Sequence, residues 1–381
     1  MASEGNKHVL YLTRWYPSDS DPMLGLFVRN HAKAAAIAGY KVTVAYIAES
    51  TGEKGKGELT SIQKDGNMTE IITYYNRSSN LPVLKRVIAT IASVSKAIGV
   101  NGKPAVIHAH ILTRTAVLAM LLAAWYRIPY IITEHWSRYY VENQSFTGFF
   151  RKWLTKLVIS RSAATTVVSK RLYNAMLGRG LQFKQSILPN VVDTRLFNIS
   201  EQRSPLFRFI SITCFEEKSK NLKLLIDAAM TIRNEGLDFE LVMVGDGDDR
   251  YKIEKYAQSL SLDVTFTGTL TPEETAAMLK QSHCLVLSSN YETFGIVVYE
   301  ALASGIPVIS TDVADLKELI TEQFGKVIPV GDREALIDSM REVYIKFGDY
   351  EPQRLRAGVE NICSITSVSF VLDKLYQRVI Q

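Results

Sequence analysis

This chain of 381 residues has no long apolar run, no paired cysteines and, over two extended stretches, no carboxylates. The longest apolar run, 115–126, is closed by Arg127 and falls short of the roughly 18 to 20 residues that cross a bilayer. The first seven residues are polar and lack the apolar core of a secretory signal. A cytoplasmic address is expected, with any membrane contact peripheral, at the inner face. Cys214, Cys284 and Cys363, odd in number and far apart, fit neither a disulfide framework nor a zinc spacing. They are expected to be reduced, mostly buried thiols. Carboxylates are missing from 71–133, where seven basic residues occur, and from 143–192, where eight occur. Up to residue 193 the chain holds 24 Lys and Arg against 11 Asp and Glu, and beyond it 20 against 28. A basic amino half attracts anionic surfaces or substrates. No nucleic-acid module or RNP-like aromatic motif accompanies the charge, so nucleic acid is not expected as a partner. An anionic membrane or a phosphate-bearing lipid acceptor suits it better.

What is present is the composition of a globular chain, 47% hydrophobic and 22% charged. The length exceeds what one core usually supports, so two domains are expected, 1–200 and 201–363, with a closing segment 364–381. Short β-prone runs alternate with helical patterns in two successive series. The strands of the first fall at 8–13, 41–47, 105–109, 130–133 and 164–168. Those of the second fall at 207–213, 240–244, 264–267, 284–287 and 307–310. Two such series read as two Rossmann-like, doubly wound parallel sheets facing across a cleft, with ligands at the carboxyl ends of the strands. The closing segment has helical periodicity through Val368, Leu372, Leu375 and Val379.

The most specific stretch runs from Ser288 to Val308. A strand ends near Leu287, a small polar loop follows, and a helix begins near Phe294 or Gly295. Free backbone N–H groups and the positive end of a helix dipole there make a ready site for a diphosphate. Gly295 lets the backbone approach such a ligand closely. Glu292 sits in the loop and Glu300 one to two turns into the helix. One carboxylate can accept hydrogen bonds from sugar hydroxyls beside the phosphates while the other faces the more distant ribose. Two glutamates eight apart are, taken alone, a solvated helix face; the surrounding string is what turns the reading toward function.

Glu292 and Glu300, with seven residues between them and Phe294-Gly295, Glu300-Ala301, Gly305 and Pro307-Val308 in step, resemble the Glu-x7-Glu signature of the retaining family-4 glycosyltransferases of the GT-B fold. The resemblance extends over nearly the whole chain. Gly245-Asp246-Gly247 resembles the family's glycine turn, and Phe266-Thr267-Gly268 the next strand-end loop, near the nucleotide base. Pro189-Asn190-Val191-Val192-Asp193 resembles the interdomain segment. Lys220-Asn221 matches the lysine that contacts the donor phosphates. Gly25-Leu26-Phe27 resembles the glycine loop near the reacting centre, and Thr133-Glu134-His135 the Thr-x-His that contacts the transferred sugar. One departure stands out. Where the family carries an arginine ahead of that lysine, this chain reads Ile212-Thr213-Cys214-Phe215, so a neutral Cys214 takes the place of the charge, and Lys218, or Lys220 with the helix amides, must supply it.

The resemblance implies a hexosyltransferase of polysaccharide or glycolipid biosynthesis. It would move a hexose with retention from a UDP- or GDP-sugar donor to a saccharide or lipid-linked saccharide acceptor. Glu292, His135 and Lys220 are its catalytic candidates, and Gly25, Phe294, Gly295, Ile296, Val297, Glu300, Gly268 and Gly245 its donor-binding ones. The anomeric bond to diphosphate would break through an oxocarbenium-like transition state, with Lys220 and the helix amides stabilising the departing phosphate. No cofactor and no metal are expected. His108 and His110 share a strand face as a metal pair would, but no third ligand at a sensible spacing is evident, and structural or pocket-edge roles are preferred. Asp246 reads as a turn former. The basic and aromatic run 149–158 reads either as a core helix with snorkelling lysines or as an interfacial helix. Alternatives are a glycoside phosphorylase of the same fold, a non-catalytic nucleotide-sugar-binding protein, and a dinucleotide-dependent oxidoreductase. Against the last, no Gly-x-Gly-x-x-Gly follows the first strand.

Overall fold

The computed structural model describes residues 7–19, 21–49, 60–75, 82–112, 114–200 and 202–380. The first six residues of the polar amino terminus, Glu201 of the linker region and the terminal Gln381 lie outside the described residues. The chain divides into two compact units, Met1–Val191 with Ile365–Gln381, and Val192–Ser364.

The first unit is built on β1 (His8–Thr13), β2 (Lys41–Glu49), β3 (Thr60–Asp65), β4 (Met68–Tyr75), β5 (Val106–His110), β6 (Tyr130–Glu134) and β7 (Ala164–Val167), in the order β3-β4-β2-β1-β5-β6-β7. Every residue of β1, β5, β6 and β7 is buried, the mark of strands covered on both faces. All pairings are parallel except β3 with β4, an antiparallel hairpin turned at Gly66. That hairpin was not expected from the sequence, because β3 is an exposed edge strand whose polar residues (Gln63, Lys64, Asp65) carry no core signal. The strand order reverses between β1 and β5, the point at which doubly wound sheets bind their ligands.

The closing helix, Ile365–Ile380, belongs to this unit and lies against the helix Leu26–Ile37, whose small residues Ala32 and Ala35 permit close approach. It buries Val368, Leu372, Leu375 and Tyr376. At about 1.5–3 kcal/mol per fully buried large side chain, those four hold the helix down by roughly 6–12 kcal/mol before ordering entropy is subtracted. The Tyr376 hydroxyl adds a polar anchor, 2.7 Å from the Tyr11 hydroxyl and 2.8 Å from His108 Nδ1.

The second unit has six strands, all parallel: β8 (Phe207–Ile212), β9 (Phe239–Val244), β10 (Thr265–Gly268), β11 (Cys284–Leu287), β12 (Val308–Thr311) and β13 (Gly325–Ile328). Their order, β10-β9-β8-β11-β12-β13, reverses between β8 and β11. Phe209, Leu225, Phe239, Met243 and Val286 lie in its core. Residues 192–200, which the sequence assigned to the first domain, fold with this unit. The Val192 N–H donates to the Cys363 carbonyl at 2.8 Å, and the Arg356 guanidinium donates to the carbonyls of Thr194 at 2.6 Å and Phe197 at 2.9 Å.

The aromatic and basic run becomes the helix Phe149–Arg161, but not a core helix. It buries Thr155, Val158 and Ile159, while Phe149, Phe150 and Trp153 are 86%, 69% and 50% exposed. No helix among the described residues is long and apolar enough to cross a membrane.

Candidate functional site

In the second unit, the loops after β8 and β11 meet at the carboxyl edge where the strand order reverses. They are stitched together by backbone and side-chain bonds. The Asn290 N–H donates to the Ser219 carbonyl at 2.8 Å, the Ser288 hydroxyl to the Lys220 carbonyl at 2.9 Å, and the Asn290 amide to the Lys218 carbonyl at 3.0 Å. This brings together residues 72 apart in sequence: Lys220 Nζ donates to Glu292 Oε1 at 2.5 Å, and the Ser289 hydroxyl donates to the same oxygen at 2.9 Å. Each partner of the ion pair is only 15% exposed. Burial by itself draws the Lys220 ammonium down, but Glu292, Cys214 and Glu216 outweigh it and hold the lysine charged. Cys214 therefore does stand beside the lysine; it is exposed, unlike the buried Cys284 and Cys363, and partial desolvation with the nearby Glu292 and Glu216 pushes its thiol up. It supplies no positive charge. Lys218 is exposed and gives only its carbonyl to the loop junction. Glu216 and Tyr291 belong to the same cluster, and nothing in their local sequence singles them out.

Beyond the loop the helix Ile296–Ala303 starts from Gly295, left-handed at φ 72° and without a side-chain cap. The backbone N–H groups of Gly295, Ile296 and Val297 have no acceptor among the described residues, so three donors and the helix dipole face outward beside Lys220 and Glu292. Phe294 offers only its backbone, since its ring is buried and stacked on Tyr299 with centroids 4.3 Å apart. Glu300 is half-buried and its carboxylate has no partner among the described residues. Burial raises it from the ordinary 4.5 to about 7. A partnerless carboxyl in a low-dielectric setting is costly unless a ligand donates to it. Gly245 and Gly268 are required by the fold: a Cβ on Gly245, at φ 126°, would lie 1.8 Å from the Thr213 carbonyl oxygen, and the Gly245 N–H donates to the Gly268 carbonyl at 2.8 Å. No Asp-x-Asp motif was expected near these residues, yet Asp246-Gly247-Asp248 has that spacing. Asp246, however, accepts from the Gly247 N–H at 2.8 Å and pairs with Arg250 at 3.3 Å, which makes it a turn former.

The first unit carries its polar groups on the loops after β1, β5 and β6. His135 follows β6, and its Nε2 lies 3.1 Å from His110 Nδ1. The third histidine that the sequence did not reveal is His31, which comes from the helix Leu26–Ile37. His31, His110 and His135 each place a ring nitrogen within 4.8 Å of the others. Metal binding fits this group poorly: His110 and His135 stack at 24° with centroids 5.3 Å apart and bond to each other, whereas ligands must aim their lone pairs at one point. Burial holds all four clustered histidines low, His31 to about 4 and His108, His110 and His135 well below the ordinary 6.5. His135 is thus a neutral imidazole at physiological pH and a poor proton acceptor, suited to hydrogen bonding. The loop that carries it is fixed by Glu134, which accepts from the N–H groups of His135 and Trp136 at 2.8 Å each, from Leu112 N–H at 2.9 Å and from the Tyr139 hydroxyl at 2.9 Å. Gly25 caps the helix at φ 69°, and a Cβ there would lie 2.3 Å from the Trp15 carbonyl, so this glycine is required by packing.

Two family models match the chain, one described as Glycosyltransferase Family 4 over 24–196 and one as Glycosyl transferases group 1 over 194–351. Among curated relatives, a phosphatidyl-myo-inositol mannosyltransferase of Mycobacterium leprae is 25% identical over 51% of this chain and 52% of its own length. An uncharacterized glycosyltransferase of Methanocaldococcus jannaschii is 28% identical over 58% of this chain and 60% of its own. The matched regions thus span a little over half of these relatives. Among solved structures, a sucrose-phosphate synthase from Thermosynechococcus elongatus superposes with a TM-score of 0.79 at 19% identity, covering 97% of this chain and 98% of that one. Anabaena HepE in complex with UDP and glucose gives 0.72 at 13%, covering 97% and 99%. These likenesses show the GT-B fold.

Proposed function

Because the chain belongs to the family-4, group 1 glycosyltransferases, we propose that it transfers a hexose, with retention and without a metal, from a UDP- or GDP-sugar to a saccharide or lipid-linked saccharide acceptor. The observation that carries this reading is the grouping of a buried Lys220–Glu292 pair, three unbonded helix N–H groups and a partnerless Glu300 on one edge of one sheet. A nucleotide sugar answers all three. Its diphosphate takes the N–H groups and the Lys220 ammonium, its transferred sugar donates hydroxyls to Glu292, and its ribose donates to Glu300. As the anomeric bond breaks, charge grows on the diphosphate, where each aimed donor contributes about 2–4 kcal/mol. The leaving oxygen can then take the acceptor's proton, a role to which a neutral His135 is ill suited.

Relatives support a role in glycolipid or polysaccharide assembly. The Mycobacterium leprae protein is a phosphatidyl-myo-inositol mannosyltransferase, and a Streptococcus pneumoniae relative is an alpha-monoglucosyldiacylglycerol synthase. The exposed Phe149, Phe150 and Trp153 support peripheral contact with an anionic membrane at its cytoplasmic face. Thermal-shift screening against UDP- and GDP-hexoses tests the donor, and NMR of the product's anomeric configuration tests retention. A chain stabilised by no nucleotide sugar, or a product of inverted configuration, overturns the proposal.

A further inference from the structure

The carboxylate-free stretches of the amino half converge in space. A pocket of about 630 Å³ in the first unit is lined by Arg14, Arg86, Arg114, Arg138 and Arg151 around Trp136. It sits on the loops after β1, β5 and β6, beside the point where this sheet reverses its strand order. None of the five arginines has a carboxylate partner within salt-bridge distance among the described residues. Glu134, the carboxylate felt by Arg138, already accepts four hydrogen bonds from the loop beneath. Arg138 lies over the Trp136 ring at 3.5 Å and Arg14 at 5.5 Å from its centroid. The Nε–H groups of Arg14 and Arg138 are buried without an acceptor among the described residues. Burial, then Arg86 and Arg114, push the Arg14 guanidinium down from its ordinary value, the sign of like charges gathered without a counterion.

Uncompensated guanidinium groups held this close cost stability, and forked donors aimed into a concave site match phosphate oxygens. The rim is apolar on one side: Phe150 lines the pocket, and its ring lies 5.8 Å from that of the half-exposed Trp153. We propose that this pocket binds the phosphate or diphosphate group of the acceptor, so that the acceptor class is a phosphorylated saccharide or a lipid-diphosphate-linked one. The inference deepens the transferase reading by naming what the first unit recognises. It also accounts for why an enzyme with an acidic second unit keeps its positive charge in the first.

The test uses the full chain and three probes by calorimetry: inorganic pyrophosphate, farnesyl pyrophosphate and farnesol. A donor-site variant, Lys220→Met, separates this pocket from the second unit. Expected are binding of farnesyl pyrophosphate to wild type and Lys220→Met alike, at least about tenfold weaker binding to Arg138→Gln and to Arg86→Gln, and no comparable binding of farnesol, a charge-assisted bond being worth about that factor. Melting temperature checks that each variant is folded, and Arg138→Lys, which keeps charge but not the fork, should rescue only in part. Equal affinity for the two pyrophosphates assigns a soluble phosphorylated acceptor; a gain with the prenyl tail assigns a lipid-linked one. Arginine variants that bind as wild type overturn the proposal. Loss confined to Lys220→Met overturns it too, and leaves the donor reading standing. Failure of the donor reading instead appears as nucleotide sugars that bind nowhere while farnesyl pyrophosphate still binds here.

Discussion

Glu300 yields the sharpest prediction, because stability and binding must move in opposite directions. Its carboxyl titrates near 7 in the folded chain against an ordinary 4.5, through burial without a partner. Below about pH 4.5 it is protonated in both folded and unfolded states and contributes nothing. Between 4.5 and 7 the unfolded chain releases this proton and the folded chain keeps it, so stability falls by about 1.4 kcal/mol per pH unit. Above 7 the full penalty of roughly 3 kcal/mol is in place. Glu300→Gln removes it. The variant should match wild type at pH 4.5 and be more stable at pH 8 by up to about 3 kcal/mol, less what the amide's own burial costs. That is a rise of several degrees in the melting of the second unit.

Ligand binding turns the same group around. A ribose that donates hydroxyls to Glu300 favours the ionised form, so nucleotide binding at pH 6–7 must expel a proton. Affinity should weaken about tenfold for each pH unit below 7 until the carboxyl of the complex titrates. Calorimetry in two buffers of different ionisation enthalpy reads the released proton directly. Glu300→Gln should bind nucleotide more weakly at pH 8, with no proton release and a flat pH profile. If wild type releases no proton, or if the melting difference between the two chains is independent of pH, the account of this residue is wrong.

Lys220→Met should lower kcat by about 100- to 1,000-fold, the cost of one donor aimed at developing charge, and weaken nucleotide binding in equilibrium dialysis. It also leaves Glu292 buried and unpaired, so urea unfolding at pH 7 should show a loss of about 3 kcal/mol, which Lys220→Arg should largely spare. Gly245→Ala drives a Cβ to 1.8 Å from the Thr213 carbonyl and should abolish soluble expression or the melting transition of the second unit, while Gly66→Ala, which meets no neighbour but must hold a left-handed φ of 55°, should cost only about 1–2 kcal/mol. Glu134→Gln cannot accept from all four of its donors and should cost about 2–3 kcal/mol by chemical denaturation, with a red-shifted tryptophan emission as the Trp136 loop loosens. Zinc or chelator should leave both melting and turnover unchanged; stabilisation by zinc that His110→Ala removes would restore the metal reading of the histidine cluster.

Sequence alone reached those parts of the fold whose burial leaves a local mark. β1, β5, β8 and β11 are short apolar runs bounded by turns, and the Glu292–Glu300 string sits on a strand, a polar loop and a helix start, each with its own composition. β3 left no such mark, since an exposed edge strand has little apolar content to betray it. Contacts across the chain were equally silent. Nothing in the neighbourhood of Lys220 announces that Glu292 lies 2.5 Å away, and nothing near His31 announces His110, because both meetings depend on strand order and not on spacing. The same limit hid the arginine pocket: the carboxylate-free stretches were legible as charge, but Arg14 and Arg138 lie outside them and join only at the sheet's edge. The aromatics of 149–158 stayed between two readings for another reason, that helical spacing does not say which face turns inward.

The two sheets place their positive charge at equivalent points and treat it differently. In the second unit the cation is neutralised within the protein by Glu292, with Glu216 close by. A bare phosphate arriving there meets carboxylate repulsion as well as Lys220, and gains only what the three N–H groups add. On the proposed reading, a nucleotide sugar would bring hydroxyls that satisfy Glu292 and Glu300 at the same time, so the carboxylates would act as a filter that admits diphosphates only when sugars are attached on both sides. The arginine pocket of the first unit has no such filter: its arginines have no carboxylate partner among the described residues, and its rim is apolar on one side. As an acceptor pocket it would select by charge and shape and not by hydroxyl pattern, the division of labour a transferase would need if donor and acceptor both carry phosphate.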